Sequence, residues 1–130
     1  MMDQATRLYT AEQVRRLDRS AIEGHGIPGI DLMERAGQAV FDSILQAFPG
    51  AERLLVLCGA GNNGGDGYIV ARRAVQAGLR ADVCALKDPE ALKGDAALAV
   101  QRWREVGGSA VSWPLQNMDQ YDVVVDALLG

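Results

Sequence analysis

The sequence predicts an α/β domain built on a mainly parallel sheet. Three observations carry that expectation. Short apolar runs around 53–58, 81–86 and 122–126 alternate with segments of helical composition, the pattern of strands buried between other layers. A glycine-rich stretch, Gly59–Gly67, joins the first run to a helical segment, and a strand, a glycine turn and a helix N-terminus together suit an anion or another electron-rich group. The chain has 130 residues, 48% hydrophobic and 23% charged, enough for one domain with a core.

The elements follow in order. Thr10-Ala11-Glu12-Gln13 fits a capping box, and Val14, Leu17, Ala21 and Ile22 continue it as a helical stripe that stops near Gly24 and Gly26. After the turn at Pro28-Gly29, Leu32, Met33, Ala36, Gly37, Val40, Phe41, Ile44, Leu45 and Phe48 recur at spacings of three and four. They predict a second helix, ended by Pro49-Gly50. A strand over 53–58 leads through the glycines into a helix from about 65 to 77. A strand over 81–86, a helix over 95–106 with Ala99, Trp103 and Val106 on one face, and a weak strand at Ala110–Ser112 come next. The last strand is 122–126. Right-handed crossovers wind the first three of these strands in one direction. If the last one returns beside the first, the glycine stretch and Asp126 meet at the crevice where such sheets bind ligands. Asn62, Asn63, Asp66 and Asp126 then converge although some sixty positions separate them.

Composition excludes some classes of function. Lys and Arg number 13 against 17 Asp and Glu, for a formal charge of -4, which disfavours a nucleic-acid partner. No apolar stretch reaches the length of a membrane span. The N-terminus lacks the basic-then-apolar pattern of a signal peptide. Cys58 and Cys84 lie in strand-like runs and read as buried free thiols of a reducing cytosol, so the expected localisation is cytoplasmic.

The chemistry expected at the crevice has alternatives. Gly59, Gly61 and Gly64 satisfy G-x-G-x-x-G, with Asp82 and Asp88 near the distance of a ribose-binding acid. That reads as a dehydrogenase. Against it, Asp66 puts a negative charge where the pyrophosphate would sit, and Asp66 has a second reading as a helix cap. Amide, carboxylate and carbonyl oxygens at one crevice suit a hard cation, potassium included, although Asp126 also reads as a cap. His25 is the only histidine and suits a helix C-terminus. Acid–base work therefore falls to carboxylates or water. Trp113, before Pro114, is expected to cover an edge or meet a partner, and Lys93-Gly94-Asp95 to form a turn and cap.

Gly59–Gly67 with Tyr68-Ile69-Val70-Ala71-Arg72 resembles the signature of the NAD(P)H-hydrate epimerases, the YjeF N-terminal domain family. Further segments resemble it in the same order: Tyr9–Val14, Gly26–Gly29, Leu32–Gly37, Leu92–Ala96 and Val124–Gly130. The resemblance implies a Rossmann-like three-layer α/β/α domain preceded by two N-terminal helices, usually a homodimer. It implies epimerisation of hydrated NADH and NADPH between R and S forms, feeding a fused or separate dehydratase specific for the S form. It assigns substrate binding to Asn62, Asn63, Gly64, Gly65, Asp66 and Gly130, and a potassium ion to Asn63 and Asp126. The family domain runs on past Gly130, so the resemblance implies a C-terminally truncated chain. Further strands and the probable catalytic acid would lie beyond Gly130, and the strand at 122–126 would be left with an open edge. The alternative is a non-catalytic, dimerising ligand-binding module, a role this fold has in a messenger-RNA decapping scaffold.

Overall fold

The computed structural model describes residues 7–9 and 29–128. Five strands form one parallel sheet: β1 Arg7–Tyr9, β2 Arg53–Cys58, β3 Arg80–Ala85, β4 Ser109–Val111 and β5 Val123–Ala127, in the order β1-β5-β2-β3-β4. Three helices accompany it: α1 Gly29–Ala47, α2 Asn62–Gln76 and α3 Gly94–Glu105. The α/β class, the parallel sheet and the return of the last strand beside the first are as the sequence predicts. The expected helix over 10–24, with His25, lies outside the described residues.

β2 is central because it is apolar from Leu54 to Cys58, with only Arg53 exposed at its start. Leu54, Leu55, Val56 and Cys58 are fully buried, so both faces of the strand need covering. Alternation sends Leu54, Val56 and Cys58 to one face and Leu55 and Leu57 to the other. On the first face they join Val83, Val123 and Val125 under α1, α2 and α3, where Val40, Phe41, Ile44, Ile69, Val70, Val100 and Trp103 complete the main core. Trp103, in the core as its helical spacing predicts, meets Tyr68 edge to face, centroids 5.1 Å apart. On the second face Leu55, Cys84 and Val124 pack with Tyr121, and Leu115 and Val111 lie against them. Among the described residues, the connection from β4 back to β5 thus covers part of this second face. Cys58 and Cys84 are buried free thiols on opposite faces.

Two departures from the sequence reading are seen. β1 was not predicted; three residues are too few to show a period, and its strand character comes from pairing with β5, Arg7 opposite Val123 through Tyr9 opposite Val125. That pairing also closes the edge of β5 that the truncated reading leaves open. Second, α2 begins at Asn62 rather than near Gly65. None of the glycines from 59 to 67 has a positive φ; that conformation occurs at Gly78, Gly94 and Gly107. What the glycine stretch supplies is close approach, described below.

The two ends of the β2–β5 pair are fixed differently. At the amino end, Asp122 Oδ2 accepts from the N–H groups of Glu52 (2.8 Å) and Arg53 (2.9 Å). At the carboxyl end the ladder runs one step past the strands, with Gly59 N–H donating to the Ala127 carbonyl at 3.0 Å.

Candidate functional site

The glycines let backbone lie on backbone where β2 turns into α2. A Cβ on Gly59 would fall on the Leu128 carbonyl oxygen, and one on Gly64 on the carbonyl oxygen of Gly59. One on Gly67 would sit 2.8 Å from Cys58 Sγ and 2.9 Å from Ala127 Cβ. One on Gly65 would sit 3.0 Å from both Ala96 Cα and Met33 Sδ. These separations are shorter than carbon contacts tolerate, so the segment is glycine-rich because it is wedged between the ends of β2 and β5 and the first turns of α1 and α3. The N-cap of α2 is Gly61 and makes no side-chain cap hydrogen bond. The opening N–H groups of a helix have no intrahelical partner, and they carry the positive end of its dipole.

Asp126 sits in β5 opposite Leu57 of β2. Alternation puts it on the face of Val124, away from the helices. It is half-buried, and its Oδ1 accepts from the Leu128 N–H at 3.2 Å. This small turn brings the Leu128 carbonyl over Gly59. The chain therefore assembles at one end of the sheet the backbone of the glycine segment and the stretch Asp126–Leu128. The donors Asp126 and Leu128 offer there are oxygens, a carboxylate and a carbonyl, the chemistry of a hard cation such as potassium and not of zinc or copper. Among the described residues no group of three His, Cys, Asp or Glu could hold a metal ion.

The other predicted residues fall as follows. Asn62 and Asn63 open α2. Gly64 and Gly65 are buried in its first turns. Asp66, 1% exposed, is enclosed within the fold. It is one turn inside the helix and not at its cap position. Gly130 lies outside the described residues. Asp82 and Asp88 both make hydrogen bonds within the fold. Asp82 is in mid-β3, where its Oδ2 accepts from the Tyr121 hydroxyl at 2.7 Å, and Asp88 Oδ1 accepts from the Glu90 N–H at 2.9 Å. Burial, with the Asp82 hydrogen bond, pushes the Tyr121 phenol well above its ordinary range. Burial likewise raises the Cys58 thiol, which leaves it without nucleophilic character. Trp113 is 64% exposed.

Sequence reasoning missed one cluster. Glu34 of α1 accepts from three arginines: both terminal nitrogens of Arg72, Arg73 Nη2 at 3.0 Å and Arg102 Nη1 at 2.8 Å. Arg72 is itself buried. Burial raises the Glu34 carboxyl, but the hydrogen bonds from Arg72, Arg102 and Arg73 outweigh it and lower the pKa to about 2. The only available signal was charge on three helical segments, and spacing along one helix does not reveal partners on another. This cluster joins all three helices.

Comparisons with known proteins agree on the family. The model of the YjeF-related protein N-terminus matches residues 29–130. A protein of Escherichia coli (strain K12) named bifunctional NAD(P)H-hydrate repair enzyme Nnr is 42% identical over 127 residues, covering 95% of this chain and 24% of that protein. One of Rhodobacter capsulatus named NAD(P)H-hydrate epimerase is 36% identical over 132 residues, covering 96% of this chain and 62% of its own length. This chain thus spans only part of the length of both relatives. The crystal structure of yeast ynu0 superposes with a TM-score of 0.70 at 23% identity, over 95% of this chain and 57% of that one, a likeness of fold. With the family model matching most of its residues, the chain belongs to the YjeF-related protein N-terminus family.

Proposed function

We propose that this chain is the epimerase domain for hydrated NADH and NADPH, an isomerase that interconverts their R and S forms. One observation carries the reading: the glycine segment that opens α2 lies beside Asp126–Leu128 at the carboxyl end of the sheet, in a family whose relatives are named for this repair. In this reading Asn62, Asn63, Gly64 and Gly65 bind the substrate through the start of α2, whose unpaired N–H groups suit a diphosphate. Asp66 supports that turn from inside, and Gly130 contributes from the segment after β5. Asn63 and Asp126 would hold a potassium ion, which would supply fixed positive charge beside the anionic substrate.

The reaction removes the hydroxyl from the hydrated ring carbon and returns it on the other face, or opens and recloses the ring. The first route needs a proton delivered to the departing oxygen; the second takes the hydroxyl proton as the ring C–N bond breaks and returns a proton to the carbonyl oxygen as the ring recloses. Both are work suited to a carboxylate with water. The dimeric state, a cytoplasmic setting and cooperation with an S-specific dehydratase belong to the same proposal. Among the described residues no helix is long and apolar enough to cross a membrane.

The test is the rate of R-to-S interconversion of hydrated NADPH, with and without potassium. Catalysis that needs potassium and drops on Asn63→Ala and Asp126→Ala supports the reading. Folded protein that binds the cofactor without catalysis moves the assignment to a binding module.

A further inference from the structure

The start of α2 has no side-chain cap, so its position is set from outside. The first turns of α1 and α3 meet behind it. α3 begins at Gly94, whose φ of +60° is one that side chains rarely adopt. This turn places Asp95 in the first turn of α3. There the Asp95 carboxylate lies against Gly29, the first residue of α1. A Cβ on Gly29 would fall on Asp95 Oδ2, with Asp95 Cγ 3.4 Å away. The carboxylate thus stands at two helix N-termini at once, where both dipoles favour a negative charge. One residue on, Ala96 packs against Gly65 from the α3 side, and Met33 packs against it from the α1 side.

We infer that Asp95 is a positioning residue: its carboxylate clamps the starts of α1 and α3 together and so fixes Gly65, and with it the Asn62–Asp66 segment. Its functional meaning rests on the reading of that segment as the substrate site. The geometry also explains Gly29, whose lack of a side chain leaves the space that the carboxylate fills.

The experiment reads local order and catalysis separately. Amide hydrogen exchange is measured along α2 in the wild-type chain, Asp95→Ala and Asp95→Asn. The expected result is exchange about tenfold faster at Gly65–Gly67 in Asp95→Ala, little change at Ala71–Val75, and a smaller effect in Asp95→Asn. Gly29→Ala, which displaces the carboxylate, should give the same local pattern, and should add little in an Asp95→Ala background. Exchange that rises evenly along α2, or a Gly29→Ala effect that persists in full without Asp95, overturns the clamp. In kinetics, Asp95→Ala should raise KM for hydrated NADPH about fivefold while kcat changes less; unchanged KM overturns the positioning role. If the wild-type chain does not epimerise, the functional reading falls, and the exchange pattern still decides the clamp.

Discussion

The two halves of α2 are held by opposite means. Its first turns are fixed by what is missing: Gly64, Gly65 and Gly67 leave no atom between the helix and the strand ends, α1 and α3. Its later turns are fixed by what is present, the guanidinium groups of Arg72 and Arg73 on Glu34, with Arg102 completing the cluster from α3. One end tolerates no addition; the other tolerates no loss of charge. The proposed ligand site is at the first end, where the opening N–H groups of the helix have no intrahelical partner. The second end holds the three helices in one frame.

The largest expected effect attacks the charged end. Glu34→Ala strands three arginines, one of them buried, and should cost roughly 3 kcal/mol, read as a fall in the urea midpoint with an unchanged slope. An unchanged midpoint would show that the cluster is ornamental. Acid should act through the same group. The folded Glu34 pKa is depressed from 4.5 to about 2, so its stabilisation is fully present above 4.5 and is lost as pH falls towards 2. The linkage amounts to about 3 kcal/mol. Thermal melts across that window should fall less steeply in Glu34→Gln than in the wild type.

At the glycine end, Gly64→Ala forces a methyl onto the Gly59 carbonyl and should cost about 2 kcal/mol or more. Gly50→Ala, where nothing lies within 4 Å of the added carbon, is the matched control and should be within about 0.5 kcal/mol of the wild type. Equal effects at both positions would remove the packing argument. The smallest effect lies on the second face. Tyr121→Phe gives up the hydrogen bond to Asp82 and should cost about 1 kcal/mol by chemical denaturation.

The same contrast separates what was legible in the sequence from what was not. Arg53–Cys58 was readable because an unbroken apolar run has few other uses, and its predicted bounds match β2. The helix carrying Val40, Phe41 and Ile44 was readable from its period. Asn62–Gly65 reads as loop, since amides and glycines are poor helix formers; tertiary packing overrides that preference, because a side chain does not fit at Gly64 or Gly65. The return of β5 beside β2, which brings the glycine stretch to the end of β5, followed from topology rules. The Glu34 cluster and the Asp82–Tyr121 pair were invisible, since each joins residues 38 or more apart on different elements.

The most direct measurement sets the two ends of the helix layer against each other: the rate of R-to-S interconversion of hydrated NADPH by Asp126→Asn and by Glu34→Gln, both below their melting temperatures and in saturating potassium. Catalysis lost in Asp126→Asn, with Glu34→Gln close to the wild type, is the predicted result. Full activity in Asp126→Asn, or loss in folded Glu34→Gln alone, would contradict a site at the carboxyl ends of β2 and β5.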